Sequence, residues 1–295
     1  MADEITLSNA TRTNLLSLQN TSSLIGQTQQ RLATGLKVNS ALDDALAFFK
    51  ARNLNSRASD LSSIKDAIAG GISVITAAVQ GLSSIESVLK QMKAIAQSAI
   101  SAPESTTRAK LASQFNELRS QVDGIAADSS FNGVNLLKNT TARFKGGADQ
   151  LTVKFNERTD PKAVNQLIVS GLKSADFKQI VATSAVAVGA SATRWGQTGS
   201  KAITAINSAI DAIDSALVTV RQASQQFGTN AALLQIREDF TTNLINTLKG
   251  GASDLVNADL NEESANLLSL QTRQQLGTIS LSIAQRSEQS ILRLF

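Results

Sequence analysis

Apolar residues recur in steps of three and four from Leu61 to Met92 and again from Ile203 to Leu234, and this rhythm constrains the fold of the chain more than any other feature. The first run reads Leu61, Ile64, Ile68, Ile72, Ile75, Val79, Leu82, Ile85, Leu89 and Met92. The second reads Ile203, Ile206, Ile210, Ile213, Leu217, Val220, Phe227, Ala231 and Leu234, interrupted only at Ser224. Heptad spacing sustained this long predicts helices that meet along a seam. A stripe so narrow does not make a globular core alone, so each helix needs a partner helix, in the same chain or another. The expected core positions are Leu61, Ile68, Ile75, Leu82, Leu89, Ile203, Ile210, Leu217 and Leu234.

Composition narrows the chemistry. Only 4% of the 295 residues are aromatic, so the layers between helices must be filled by Leu, Ile, Val and Ala. Subtracting 24 acidic from 28 basic residues leaves +4, and no Lys/Arg-rich run with interleaved aromatics is present, which argues against a nucleic-acid partner. The chain has no Cys and no His. Disulfides, thiolate chemistry and the commonest neutral-pH base and metal ligand are therefore absent, no cofactor or metal is expected, and a Ser-His triad is excluded. The reading is of a non-enzyme. Met1-Ala2-Asp3-Glu4 opens without a basic segment and apolar run, so no cleavable signal peptide is expected, and no stretch is read as a membrane span.

The order along the chain is helical, mixed, helical. Ser8 to Leu36 reads as a weakly amphipathic helix with Leu18, Ile25 and Leu32 one heptad apart and Gln, Thr, Ser and Asn elsewhere; alone in water it would fray. A longer helix is expected from about Asp43 to Ile100, with Gly70-Gly71 and Gly81 as weak points, ending at Ala102-Pro103. Leu111, Phe115, Leu118, Val122 and Ile125 mark a third helix, and Asn132-Gly133 a turn after it. Leu151, Val153 and Phe155 alternate with polar residues and Leu167 to Val169 is a second short apolar run, which predicts a small β-hairpin. The heptad helix from Ser200 should break at Gly250-Gly251, and Leu255 to Phe295 should form a last helix with Leu260, Leu267, Leu276, Ile279 and Ile283 on its apolar side. The fold class expected is mainly α: a long antiparallel bundle or coiled coil made from both chain ends, with a small β-containing central insert.

Acidic groups at Asp43-Asp44 and at Asp259 with Glu262-Glu263 are the only conceivable metal sites. Neighbouring helical residues do not share a face, and carboxylates at a helix start serve capping, which is the preferred reading. Gly196-Gln-Thr-Gly199-Ser-Lys201 lacks the spacing and preceding strand of a phosphate loop and reads as a turn.

Arg31-Leu-Ala-Thr-Gly-Leu-Lys-Val-Asn-Ser-Ala-Leu-Asp-Asp44 closely resembles the N-terminal segment of bacterial flagellins. Ser130-Phe-Asn-Gly-Val-Asn-Leu-Leu137 and the end of the chain, Gln271 to Gly277 and Gln289 to Phe295, resemble the same family in the same order. The resemblance implies a subunit that polymerises into the flagellar filament. By that likeness residues 1–42 and 255–295 form an inner terminal-helix domain, 43–140 and 196–254 a helical core domain, and 141–195 a small solvent-facing variable region. Packing of the inner tube would fall to Leu18, Ile25, Leu32, Leu267, Leu276, Ile279 and Ile283. The implied partners are further copies of the chain, an export chaperone on the C-terminal region, and filament cap and hook-junction proteins, with no nucleic acid and no membrane. The implied location is the extracellular filament, reached by flagellar export without a cleaved signal.

Two departures accompany the resemblance. Ala45-Leu-Ala-Phe-Phe-Lys50 places two rings where many flagellins carry small residues. In the segment many flagellins present to the animal Toll-like flagellin receptor, Gln91 replaces an arginine, Ile95 a leucine and Gln114 a glutamate, so weak or absent receptor activation is expected. Two alternatives stand beside this reading. One is a hook–filament junction protein, which shares both ends; the other is an enzyme on a helical scaffold, for which the short, His-free insert gives little support.

Overall fold

The computed structural model describes residues 9–138, 150–157, 165–172, 195–197 and 200–292. Its elements are α1 (Asn9–Thr34), α2 (Ala45–Ser101), α3 (Ser105–Asp128), β1 (Gln150–Lys154), β2 (Gln166–Ser170), α4 (Ser200–Val256) and α5 (Leu260–Leu292). The mainly helical class with a small two-stranded sheet is the one the sequence predicts.

Local chemistry sets the ends. Helix α1 stops at Gly35, whose φ of 72° suits the left-handed position after a helix; its N–H donates to Arg31 O at 2.8 Å. Helix α2 starts where Asp44 Oδ1 accepts from Ala47 N at 2.9 Å, a cap rather than a metal ligand. After α3, Asn132 and Gly133 both have positive φ, 49° and 78°, the signature of a type I′ turn, closed by mutual backbone hydrogen bonds between Phe131 and Val134. Buried Asn135 then satisfies both sides of that turn: its amide donates to Ala126 O and Ala127 O, and its Oδ1 accepts from Leu137 N and Lys138 N.

Two expectations are corrected. Helix α4 runs through Gly250-Gly251 to Val256, and the break falls at 257–259 instead. A glycine costs a helix about 1 kcal/mol, and burial of Leu248 and Ala252 on either side outweighs it. Helix α2 passes through Gly70, Gly71 and Gly81 unbroken, in keeping with the single long helix expected there. Finally, α2 and α4 each contain a window long and apolar enough by composition to cross a membrane, contrary to the reading of the sequence. The Ala content lifts both, and their heptad apolar residues are occupied in the bundle core.

The chain divides into two compact units, Met1–Ala58 with Asn246–Phe295, and Ser59–Ile245. These divisions fall inside α2 and α4. In the second unit Ile68, Ile75, Leu82, Ile85, Leu89 and Met92 of α2 share one core with Phe115 and Val122 of α3 and Ile206, Ile213, Val220, Phe227 and Leu234 of α4. Leu61 and Leu217 are buried and Ile210 is half-buried. Ile203 is not in the core: it is 47% exposed. The inward positions there are Ala202, Ala205, Ile206 and Ala209, small residues that allow close helix approach and set a phase one residue away from Ile203.

The hairpin pairs Leu151 with Val169 and Val153 with Leu167, antiparallel, and buries Val153 and Val169 in the same core. Gly71 makes room for it, since a Cβ there would lie 2.8 Å from Val153 Cγ2. Leu172 N donates to Leu136 O at 2.8 Å. Trp195 is fully buried against Phe115, ring centroids 5.1 Å apart. Arg108 holds it there, donating to the carbonyls of Trp195 and Gln197 and, across the α2–α3 turn, of Ala102 and Pro103.

Candidate assembly interface

In the first unit α1 packs on α5. The shielded positions on α1 are Thr11, Asn14, Leu18, Thr21, Ile25, Thr28 and Leu32, and on α5 Glu263, Leu267, Leu270, Gln274, Gly277, Leu281 and Ala284. Both sets alternate steps of three and four, the spacing of a two-stranded coiled coil. Half of the seam is polar or small, which is unusual for such positions and makes it weak. Gly277 brings the helices close, because a Cβ there would sit 2.7 Å from Leu18 Cδ2. At one end Arg31 Nη1 donates to Glu263 Oε1 at 2.9 Å. Beyond that pair, Lys37 N and Val38 N donate to Val256 O, and Ala258 N to Gly35 O, a short antiparallel bridge that ties the two chain ends together.

A further set of large apolar residues on these helices faces away from the seam. Leu15, Leu16 and Leu24 of α1 are exposed, and Leu268, Leu276, Ile279 and Ile283 of α5 are 56–68% exposed. Of the residues expected to pack the inner tube, the single chain therefore places Leu18, Ile25, Leu32 and Leu267 in the seam and Leu276, Ile279 and Ile283 outside it. The sequence reading put all the apolar residues of α5 on one face. They lie on two.

The link between α1 and α2 is a built turn. Asp43 Oδ2 accepts from Ser40 N at 2.8 Å, Asn39 N at 3.0 Å and Ser40 Oγ at 3.1 Å. The Ser40 N–H first, then that of Asn39 and the Ser40 hydroxyl, hold this carboxyl below the usual carboxylate range. This fixed turn presents Leu42, 98% exposed, followed on the first turns of α2 by exposed Leu46 and Phe49. Phe48 and Phe49, the departure noted in the sequence, meet edge to face at 5.6 Å. Sequence reasoning missed Leu42 and Leu46; the signal available was an apolar i, i+4 pair spanning the start of a helix. Gln91 and Gln114 are exposed and Ile95 is half-buried. Among the described residues no cluster of three or more Asp and Glu forms a metal site.

Paired terminal helices with a weak inner seam and apolar outer faces define a structural subunit that completes its packing on other molecules. Comparison with known proteins gives that class its family. Residues 5–142 match the bacterial flagellin N-terminal helical region and residues 210–295 the C-terminal helical region. The chain is 34% identical over 288 residues to flagellin FljM of Caulobacter vibrioides, covering 95% of each, and 28% identical over 295 residues to a flagellin of Brucella melitensis, covering 100% of this chain and 99% of that one. A solved structure named for a flagellar hook-associated protein of Vibrio parahaemolyticus superposes with a TM-score of 0.60 at 15% identity, over 73% of this chain and 100% of that one. That likeness shows a shared fold. The full-length identities decide between the two readings: the chain belongs to the bacterial flagellin family. It is a structural subunit of the flagellar filament, an extracellular appendage.

Proposed function

We propose that filament growth is driven by the outward faces of α1 and α5, on which Leu15, Leu16, Leu24, Leu268, Leu276, Ile279 and Ile283 become buried between copies. The observation that carries this is the divided allocation of residues: the seam within the chain mixes Leu18, Ile25, Leu32, Leu267, Leu270 and Leu281 with Thr, Asn, Gln and Gly, while a further set of Leu and Ile is left outside. Burying each such side chain contributes roughly 1.5–3 kcal/mol. In this reading 1–42 and 255–295 form the inner layer of the tube, and 43–140 with 196–254 its wall. The chain travels through the flagellar export channel with a chaperone on its C-terminal region and no cleaved signal, and meets cap and junction proteins at the filament ends.

The test is polymerisation of purified subunits, followed by sedimentation and electron microscopy. Ile279→Asp with Ile283→Asp should abolish long filaments while leaving the helical content of residues 59–245 intact; filaments of normal length from this variant would refute the proposal. Gln91 and Gln114 carry no charge where the resembling receptor-binding segment pairs through arginine and glutamate, so the chain should activate the Toll-like receptor weakly. A reporter assay on the Gln91→Arg/Gln114→Glu variant should show a gain over the parent chain.

A further inference from the structure

The outward face of α5 and the turn before α2 are complementary in charge as well as in apolar character. Between Ser264 and Ser287, α5 carries two charged residues, Arg273 and Arg286, and no acid. Both are exposed, and both flank the apolar stripe: Arg273 lies one turn before Leu276, and Arg286 one turn after Ile283. The turn carries the opposite sign. From Asn39 to Phe49 its charges are Asp43 and Asp44, between exposed Leu42 and Leu46.

We infer that the turn of one subunit, Leu42 with Asp43, Asp44, Leu46 and Phe49, docks on the α5 face of a second copy, with its carboxylates on the stripe that Arg273 and Arg286 flank. The inference rests on the proposed assembly role of the α5 face and specifies what covers it. The competing occupant within the same polymer is the outward face of α1. That face is apolar, but the charged residue of α1 outside the seam pair Arg31–Glu263 is Arg12, which has the same sign as the arginines of α5. The acidic turn removes that conflict. It is also preformed: Asp43 already holds the backbone of Asn39 and Ser40, and Asp44 caps α2, so little ordering entropy is lost when Leu42 is buried.

The absence of cysteine makes the test clean. Subunits carrying Leu42→Cys and subunits carrying Ile279→Cys are each mixed at low proportion into unsubstituted chain, so that filaments form on the parent's packing, and treated with a short bis-maleimide cross-linker. A covalent dimer of the two different variants, present in filaments and absent from free subunits, is the expected result. Cross-linking of Ile279→Cys to Leu16→Cys in place of Leu42→Cys, or no dimer in intact filaments, overturns the inference while leaving the assembly role of the α5 face standing. Failure of the unsubstituted chain to polymerise overturns both. As a second measure, Arg273→Glu with Arg286→Glu should raise the critical concentration for polymerisation about tenfold, equivalent to roughly 1.4 kcal/mol per contact. An unchanged critical concentration contradicts the charge pairing.

Discussion

Gly81 is where a single atom matters most in the unit Ser59–Ile245. A Cβ at this position would overlap Ser129 Oγ and lie 2.8 Å from Leu137 Cδ1, and Ser129 is itself held by its hydroxyl donating to Ile125 O at 2.6 Å. The sequence shows a glycine in a helix, which reads as weakness; the structure shows that the missing side chain is what lets the Asn132-Gly133 turn fold back onto α2. Gly81→Ala should therefore destabilise the unit by about 1–3 kcal/mol through overpacking, despite the better helix propensity of alanine. Gly228, with nothing near its absent Cβ, is the control: Gly228→Ala should gain roughly 0.5–1 kcal/mol. Urea midpoints for the two variants should move in opposite directions. Asp43 makes a residue-scale prediction of another kind. Its carboxyl is held low by the N–H groups of Ser40 and Asn39, so its contribution to the turn is complete above the usual carboxylate range and is lost as pH falls through its depressed value. Amide exchange at Asn39 and Ser40 should stay slow at neutral and mildly acidic pH and quicken only below that range. Asp43→Asn should quicken it at every pH.

At the scale of elements, what was legible in the sequence depended on whether apolar size and apolar position coincide. In α2 they do: Leu61, Ile68, Ile75, Leu82 and Leu89 are all buried, and the heptad alone locates them. In α4 they coincide only in part. The seam is kept by Ala202, Ala205, Ala209, Ala216 and Ala223, so a search for large side chains selects Ile203, which is exposed. In α5 they diverge further, since the positions facing α1 include Gln274 and Gly277 beside Leu267, Leu270 and Leu281 while Leu276 and Ile279 are exposed. The helix break shows the same limit. Gly250-Gly251 is the louder signal, but Asp259, whose Oδ1 accepts from Asn261 N at 2.8 Å, is the residue that starts α5. A polar, glycine-containing seam should also be sensitive to size. Gly277→Ala would press on Leu18, whose methyl can shift partway, and should weaken the α1–α5 pairing by about 1 kcal/mol. Hydrogen exchange in α1 should accelerate in this variant while exchange in α3 is unchanged.

At the scale of the whole molecule, the two units carry different burdens, and the chain supplies a built-in reporter for one of them. The unit Ser59–Ile245 has a continuous core in which Trp195, the only tryptophan in a chain without tyrosine, is fully buried on Phe115 and clasped by Arg108. The unit formed by the chain ends has a partly polar seam and keeps Leu15, Leu16, Leu24, Leu268, Leu276, Ile279 and Ile283 on the surface. Removing residues 255–295 takes away one strand of that seam and the whole apolar face of α5, but no member of the core around Trp195. The truncated chain should therefore keep the blue-shifted emission of a buried indole and a cooperative loss of that signal on heating, because the burial that shields Trp195 lies in residues the deletion does not touch. It should lose filament formation entirely, with α1 now lacking its partner and fraying. Emission shifted to that of an exposed indole would mean that the unit Ser59–Ile245 depends on the terminal helices for its fold. Long sedimentable filaments from the truncated chain would mean that assembly does not run through the α5 face.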